Sequence, residues 1–244
     1  MMDWRGKTYW LIGASEGLGA ALAQKLSGAG AHLILSARNA DRLKELADSL
    51  PGAADILPMD VQDDDSVAKA CETVGEIDGL VWLAGVYWPM PATEWDVDKG
   101  VAMADVNFTG AFRVLGRAVP AMVARQSGHI VIIGSLSGFR GLPGAIGYAP
   151  SKAGVMALGE SLYADLHRTP IKVQLANPGF IRTRLTDKND FRMPFLMEPE
   201  DAAREVFELM CTPDRFKKSF PRVFSWVFRL SQFLPDWLYY RLFA

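Results

Sequence analysis

The chain contains few of the residues that cross-link small proteins or bind metal ions. Of its 244 residues only two are cysteines, Cys71 and Cys211. Because they lie far apart in the sequence, they give no sign of a disulfide framework. The three histidines, His32, His129 and His167, are scattered, so no group of side chains has the spacing of metal ligands. We therefore expect neither a disulfide scaffold nor a bound metal ion.

Long apolar runs and an excess of one charge are also missing. No uncharged apolar stretch reaches the roughly 18 residues that a membrane-spanning helix needs. The 26 lysine and arginine residues nearly balance the 28 aspartate and glutamate residues, and the net charge of −2 gives no indication of nucleic-acid binding. The first residues lead directly into the first predicted strand and leave no room for a signal peptide, so we expect a cytoplasmic protein.

Half of the residues are hydrophobic, which is enough for a chain of this length to bury one sizeable core. Short apolar runs alternate with segments of helical character. The strands are predicted at Thr8–Ile12, His32–Ala37, Asp55–Pro58, Gly79–Leu83, Gly128–Gly134 and Lys172–Asn177. The helices are predicted at Gly17–Gly28, Asn39–Ser49, Asp63–Val74, Trp95–Asn107 with a continuation to about Val123, Tyr148–Leu166 and Pro199–Met210.

This alternation predicts an α/β fold, a doubly wound parallel sheet of the Rossmann type with three layers in the order αβα. Continuous apolar strands are typical of a sheet that is covered on both faces. We expect a single domain over residues 1–212 and a helical extension over residues 213–244. Ligands of such sheets bind at the carboxyl ends of the strands, which is where the motifs described next are predicted to lie.

A glycine-rich turn joins the first predicted strand to the first predicted helix. Gly13, Gly17 and Gly19 allow a tight turn and a close approach of phosphate groups to the backbone. The N-terminus of the following helix offers unpaired N–H groups to an anion. The other predicted cofactor contacts in this turn are Ser15, Glu16 and Leu18. The alternative is a glycine turn that only packs a helix on a strand.

Tyr148 and Lys152 are four residues apart in a segment that is predicted to be helical, so both side chains would lie on one face. An ammonium group near a phenol favours the phenolate and lowers its pKa from about 10. A tyrosine with a lowered pKa can give or take a proton near neutral pH. Ser135 lies upstream and is a third candidate, although Ser137 is only two residues away from it.

With these motifs the chain resembles the short-chain dehydrogenase/reductase family in its single-domain branch. The resemblance covers the chain from Gly13 to about Ala203. It rests on seven pieces in the family's order: Gly13/Gly17/Gly19, Asp60-Val61, Ala84-Gly85, Asn107, Ser135, Tyr148/Lys152 and Asn177-Pro178-Gly179-Phe180-Ile181-Arg182-Thr183. The sequence departs from the family pattern in two places: Ile12 replaces a threonine, and Trp82-Leu83 replaces two asparagines. These polar residues normally help tie the central strands together.

The resemblance implies a role for each of four catalytic residues. Tyr148 would be the general acid or base, and Lys152 would lower its pKa and hydrogen-bond the nicotinamide ribose. Ser135 would hold the substrate oxygen and stabilise the charge that develops there. Asn107 would bend its helix and hold a water molecule that links Lys152 to solvent; the alternative is a simple helix cap.

The end of the second predicted strand indicates NADP(H) as the preferred cofactor. An acidic residue there would favour NAD(H), but this chain has Ala37 followed by Arg38, whose guanidinium suits a phosphate. Ser15 could add a hydroxyl. Glu16 counts against this choice, since NADP-preferring relatives often carry a basic residue at its position, and NAD(H) stays open.

The resemblance also assigns cofactor contacts beyond the glycine turn. Asp60 would hydrogen-bond the adenine edge with Val61 beside it, unless Asp60 only forms the turn before the next helix. The remaining contacts that the resemblance implies are Ala84, Gly85, Tyr148, Lys152, Pro178, Gly179, Ile181 and Thr183.

The expected substrate is a small hydrophobic carbonyl compound or the matching alcohol. The residues that we expect to form the walls of its pocket are Val86, Tyr87, Trp88, Phe139 to Leu142 and Phe180. The segment over residues 185–198 mixes large apolar residues with polar ones, as a mobile lid would. Arg140, Arg182 and Arg184 would either meet an acidic group of a substrate or be solvated loop charges.

The last 29 residues, 216–244, hold ten of the 26 aromatic residues of the chain and five basic residues against one acidic residue. A basic, aromatic amphipathic helix can lie on a membrane surface, so peripheral membrane contact is one possibility. The other is that this tail packs on the domain or on a second subunit of a homo-oligomer, a dimer or tetramer. A non-enzymatic, dinucleotide-binding redox sensor is the alternative to an oxidoreductase, but such proteins tend to lose the tyrosine or the lysine.

Overall fold

Seven parallel strands form one sheet in the computed structural model of the chain, which describes residues 3–243. They are β1 (Thr8–Ile12), β2 (His32–Ser36), β3 (Ala54–Ile56), β4 (Gly79–Trp82), β5 (His129–Ile133), β6 (Lys172–Pro178) and β7 (Lys217–Phe220). Their order across the sheet is β3-β2-β1-β4-β5-β6-β7. The direction of winding reverses between β1 and β4, and sheets of this kind bind ligands at that place.

Helices cover both faces of this sheet, so the predicted three-layer Rossmann architecture is confirmed. They are α1 (Gly17–Gly28), α2 (Ala40–Ser49), α3 (Asp64–Val74), α4 (Val97–Ala104), α5 (Gly110–Ala124), α6 (Tyr148–Leu166), α7 (Pro199–Met210), α8 (Arg222–Ser231) and α9 (Asp236–Phe243). Strand residues alternate between two apolar cores. In β1, Trp10 and Ile12 join the core under α3, α5 and α6, whereas Tyr9 and Leu11 join the core under α1, α2 and α7.

All six predicted strands are present, with ends that shift by no more than two residues. The single long helix that was predicted from Trp95 to about Val123 is wrong. Asp96 caps α4, and a π-helical turn at Asp105–Thr109 separates α4 from α5. The helical pattern of apolar residues continues through this turn, so the sequence carried no signal for the π-helical turn.

The seventh strand lies inside the segment that was expected to be a helical extension, and that expectation needs correction at Lys217–Phe220. Two adjacent lysines do not resemble a buried strand. The strand nevertheless forms because its backbone pairs with β6. Lys218 also reaches the carboxylates of Glu205 and Glu208 at 2.8 and 2.9 Å, which compensates for the burial of its charge.

After β7 the chain turns back over its own domain. Arg140 holds this tail, since its guanidinium donates to the carbonyl oxygens of Ser231 and Leu234 and pairs with Asp236. The same guanidinium lies 3.9 Å from the ring centre of Tyr239, whose hydroxyl donates to the Gly141 carbonyl oxygen. Arg140 is therefore a structural contact and not a solvated loop charge. The inner side of the tail packs on the domain, as one of the two expectations stated.

No helix over residues 3–243 combines the length and the apolar character that crossing a bilayer requires.

Candidate active site

The glycine turn after β1 is shaped by close approaches of the backbone. Gly13 and Gly17 have φ angles of +93° and +55°, which side-chain-bearing residues rarely adopt. A Cβ atom at Gly13 would lie 2.5 Å from the Ala84 nitrogen, and one at Gly19 would lie 2.2 Å from the Gly13 oxygen. Glu16, at the N-cap of α1, makes no side-chain capping bond. The N-terminal N–H groups of α1 are thus available to an anion such as a dinucleotide pyrophosphate, and the turn fits that group.

Residues from three predicted motifs meet at this turn. A Cβ atom at Gly17 would lie 2.7 Å from Cγ2 of Thr183, and Ala84 is buried against Gly13. Ile181 is buried as well, and Leu18 packs on the apolar core. Pro178 ends β6, and the Gly179 nitrogen donates to the Phe220 oxygen.

The Glu16 carboxylate forms salt bridges with two arginines. It lies 2.9 Å from Arg42, in the first turn of α2, and 2.9 Å from Arg184, after β6. Arg38 is exposed just before α2. Two guanidinium groups thus pair with one carboxylate beside the glycine turn, and Arg38 follows the end of β2. Sequence reasoning missed Arg42, although its place three residues after the helix cap Asn39 was visible.

Asp60 and Val61 follow β3 on the other side of the turn. The Asp60 carboxylate accepts a hydrogen bond from the Gln62 nitrogen at 3.0 Å. Asp63, not Asp60, caps α3. Val61 is buried against Gly110. Asp60 therefore forms a local turn of its own, and one oxygen of its carboxylate has no hydrogen-bond partner among residues 3–243.

Asn107 lies fully buried in the π-helical turn. Its Oδ1 accepts from the Val86 nitrogen at 2.7 Å, and its Nδ2 donates to the Val86 oxygen and to Ser151 Oγ, both at 3.0 Å. Ser151 in turn donates to the Tyr148 carbonyl oxygen at 2.8 Å. The local bend expected at Asn107 is present, and the helix-cap alternative is excluded because its side chain binds the chain after β4. Ser151 is a link that sequence reasoning missed.

Tyr148 and Lys152 lie in the first turns of α6, four residues apart as predicted. Lys152 is 4% exposed, and its ammonium group donates to the Ile133 carbonyl oxygen at 3.1 Å and lies 5.9 Å from the Tyr148 ring centre. A Cβ atom at Gly85 would lie 3.6 Å from that ammonium. Gly85 therefore leaves space beside Lys152.

The pKa values of this pair differ from the expectation. Burial lowers the pKa of Lys152 to about 8. Burial also raises the pKa of Tyr148 to about 12, with Ser135 acting against that rise and Tyr87 adding to it. The expected lowering of the Tyr148 pKa is thus wrong for this structure. Desolvation of the phenolate outweighs an ammonium group that is directed towards the Ile133 oxygen.

Ser135 and Ser137 form a pair rather than two alternatives. The Ser137 hydroxyl donates to Ser135 Oγ at 2.8 Å, and the Ser137 nitrogen points to the same oxygen at 3.2 Å. Both serines line the same cavity as Tyr148. Two donors fix the orientation of Ser135, which leaves its own proton for another acceptor.

The cavity beside Tyr148 has a volume of about 130 Å³ and mostly apolar walls. Of the predicted wall residues, Tyr87, Leu142 and Phe180 line it. Val86, Trp88 and the segment from Phe139 to Gly141 do not, so those predictions are wrong. The segment predicted as a lid also lines the cavity, with Leu185, Thr186, Asn189 and Phe191. The lining residues that were predicted neither as walls nor as lid are Leu136, Ala145, Gly179, Phe224 and Phe228.

Two of these unexpected residues, Phe224 and Phe228, come from α8. The Gly179 backbone packs against Phe224, since a Cβ atom at Gly179 would lie 3.2 Å from that side chain. The richness of the tail in aromatic residues was the available signal. Which of its faces turns inward could not be read from the sequence.

The segment expected to be a lid is anchored at its base. The Met197 nitrogen donates to the Phe180 oxygen, and the Arg182 nitrogen donates to the Met197 oxygen. Near its tip, Lys188 donates to the Tyr87 carbonyl oxygen at 2.7 Å, and the Tyr87 hydroxyl donates to Asn189 at 2.9 Å. The Tyr87 ring also contacts the Tyr148 ring edge-on, with centres 4.9 Å apart. The segment thus covers the cavity in two ways: its own residues line it, and it holds Tyr87 beside Tyr148.

Comparisons with known proteins agree with this arrangement. A family model described as short chain dehydrogenase matches residues 7–192. A Myxococcus xanthus protein named "Uncharacterized oxidoreductase" is 33% identical over 246 residues, which cover 98% of this chain and 97% of that protein. A solved "short chain dehydrogenase/reductase family protein" has a TM-score of 0.83 at 26% identity, covering 89% of this chain and 97% of its own. A short-chain dehydrogenase from Sphingobium yanoikuyae in complex with NADPH has a TM-score of 0.81 at 25% identity, covering 88% of each chain.

Proposed function

The chain belongs to the short-chain dehydrogenase family and is an NAD(P)-dependent oxidoreductase, and we propose that it reduces small hydrophobic carbonyl compounds, or oxidises the matching alcohols, with NADP(H). The observation that carries this proposal is the position of two hydroxyl groups. Ser135 and Tyr148 line one apolar cavity, and Lys152 follows one turn later on α6. An oxygen atom of a substrate in that cavity would meet two donors on otherwise apolar walls.

Each residue has a role that its surroundings support. When bound, the nicotinamide supplies or accepts the hydride. In reduction, the Tyr148 phenol gives its proton to the carbonyl oxygen as the carbon gains the hydride, and its pKa of about 12 keeps that proton in place at neutral pH. Lys152 is mostly protonated at neutral pH and stabilises the phenolate that remains. Ser135 orients the substrate oxygen.

Asn107 supports these residues through hydrogen bonds. It joins the chain at Val86 to Ser151, and Ser151 holds the first turn of α6. We propose that it positions Tyr148 and Lys152 and holds the water molecule that the family resemblance implies.

The residues proposed to hold the cofactor lie around the glycine turn. Gly13, Gly17 and Gly19 would receive the pyrophosphate. The preference for NADP(H) rests on Arg38 and Arg42, which offer two guanidinium groups to a ribose phosphate. Glu16 does not count against it here, because Arg184 already balances its single negative charge and the charge of Arg42 remains for the phosphate. The solved relative from Sphingobium yanoikuyae, in complex with NADPH, is consistent with this preference.

The other proposed cofactor contacts extend along the carboxyl edge of the sheet. They are Ser15, Glu16, Leu18, Asp60, Val61, Ala84, Gly85, Tyr148, Lys152, Pro178, Gly179, Ile181 and Thr183. We further propose a homo-oligomer, a dimer or tetramer, for which exposed apolar residues such as Val101 on α4 and Phe112 on α5 offer a surface.

The experiment that tests the proposal follows NADPH consumption with a panel of hydrophobic ketones, aldehydes and diones, with NADH in parallel and NADPH binding measured separately. We expect turnover with apolar carbonyl compounds and a higher kcat/KM with NADPH. Tight NADPH binding without turnover across the panel would contradict the proposal and favour a dinucleotide-binding sensor.

A further inference from the structure

The helix α8 exposes an apolar stripe on its outer side. Its inward residues include Ser225 and Ser231, which are buried and bond to helix carbonyl oxygens. The residues that it exposes at helical spacing are Val223, Trp226, Val227 and Leu230. The inward side of α8 is apolar as well, because Phe224 and Phe228 line the cavity. A surface helix of a soluble domain normally keeps polar residues on its outer side, and α8 does not.

The residues that follow α8 extend this apolar exposure. Phe233 is 85% exposed and Trp237 is 69% exposed, and Tyr240 and Leu242 on α9 are exposed as well. We call the exposed side of α8 and α9, together with Phe233, the tail surface. So many exposed aromatic residues indicate a binding surface for another molecule. This contact would be separate from the one that the inner side of the tail makes with the domain.

The charge of the tail surface is positive. Arg222, Arg229 and Arg241 form no salt bridge with any residue in the part of the chain that the structure describes. The single acidic residue of the tail, Asp236, is paired with Arg140. The Arg229 guanidinium lies over the Trp226 ring, 5.7 Å from its centre, so a cation and an aromatic ring are presented together.

We propose that the tail surface binds the surface of an anionic lipid bilayer. Tryptophan, tyrosine and arginine are the residues that suit the boundary between lipid headgroups and acyl chains. Cations with no carboxylate partner complement anionic headgroups. A second copy of the chain fits less well, because a two-fold contact would bring the same arginines of both copies together.

The same helix connects the lipid surface to the cavity. Phe224 and Phe228 line the cavity from the inward side of α8. The ring of the exposed Phe195 lies next to the Phe224 ring, with the two ring centres 5.5 Å apart. An apolar substrate dissolved in the bilayer would therefore have an apolar route into the site. This last step rests on the proposed function, whereas the lipid contact does not.

The test is sedimentation of the full chain with vesicles of phosphatidylcholine alone and with added phosphatidylglycerol. We expect binding to the anionic vesicles that weakens as salt is added. The variant with Trp226→Ser, Phe233→Ser and Trp237→Ser should lose this binding. Trp95→Ser is the matched control, because Trp95 is 59% exposed elsewhere on the domain and its loss should leave vesicle binding intact.

A second variant tests the charge. Arg222→Glu with Arg241→Glu should lower binding to anionic vesicles by about tenfold or more. Failure of the native chain to bind either kind of vesicle would overturn the proposal, as would an oligomer that the triple apolar variant dissociates in sedimentation equilibrium. Turnover of a water-soluble ketone should be the same in all these variants. If the native chain did not turn over this ketone at all, the proposed function would be rejected, and the lipid proposal would be unaffected.

Discussion

The hydroxyl of Tyr9 on β1 lies 2.8 Å from Nδ1 of His129 on β5, although β4 runs between these two strands. The Tyr9 ring crosses β4 at Gly79, where a Cβ atom would lie 2.2 Å from the ring. His129 continues to Gln174 on β6 at 2.9 Å. This buried chain of hydrogen bonds ties together the central strands, a role that the family's missing asparagines would normally play.

The Gly79→Ala substitution should destabilise the protein by roughly 1–3 kcal/mol, because the new methyl group overlaps the Tyr9 ring and the ring cannot move without breaking its bond to His129. Urea unfolding measures this change. Gly116→Ala is the control, since a Cβ atom at Gly116 on α5 meets nothing within 4 Å. It should leave stability unchanged or raise it slightly, as alanine favours a helix. Equal effects of the two substitutions would contradict this account.

Stability should also fall in mild acid because of His129. Burial lowers the pKa of His129 from 6.5 to about 4. Between these values the unfolded chain binds more protons than the folded one, so the contribution is present above pH 6.5 and is lost as the pH falls towards 4. The slope is at most about 1.4 kcal/mol per pH unit. Unfolding free energies over this range should fall less steeply in His129→Gln, and identical slopes would show that His129 does not titrate in this way.

The pH dependence of carbonyl reduction should report Lys152. Its ammonium is present below its pKa of about 8 and is lost above it, so kcat/KM for reduction should fall as the pH rises through that value. Tyr148 keeps its proton over this range. Lys152→Arg keeps its charge and should move the fall to higher pH at a lower overall rate. A native profile that stays flat to about pH 10 would count against the role of Lys152.

Cofactor preference should change when the arginines beside the glycine turn are removed. Arg38→Ala and Arg42→Ala should each raise the Kd for NADPH by about 10- to 100-fold, since a hydrogen bond to a charged group contributes roughly 1.5–3 kcal/mol. The Kd for NADH should stay the same. Lys44→Ala removes an exposed charge from the same helix and should affect neither cofactor. If Arg38→Ala and Arg42→Ala left NADPH affinity unchanged, or weakened both cofactors equally, the assignment of NADP(H) would fail.

The glycine turn and the positions of six strands along the chain could be predicted because their signals are local. Gly19 is required by its contact with nearby Gly13, and β1, β4 and β5 are continuous apolar runs. The spacing of Tyr148 and Lys152 likewise needed only a helix. These features do not depend on distant parts of the chain.

The features that sequence reasoning missed depend on contacts between distant residues. The strand at Lys217–Phe220 forms only because β6 offers an edge and α7 supplies two carboxylates to Lys218. Phe224 lines the cavity in a tail that Arg140 holds through contacts 91 to 96 residues away. The pKa of Tyr148 rises because of burial that no spacing of residues encodes.

The central claim is that Tyr148 transfers the proton during hydride transfer, and Tyr148→Phe tests it most directly. The measurement is kcat for reduction of the best carbonyl substrate, with the Kd of NADPH determined on the same preparation. We predict that kcat falls by about 10²- to 10⁴-fold while NADPH still binds, because only the proton donor is removed. A variant that keeps the native kcat would contradict the account.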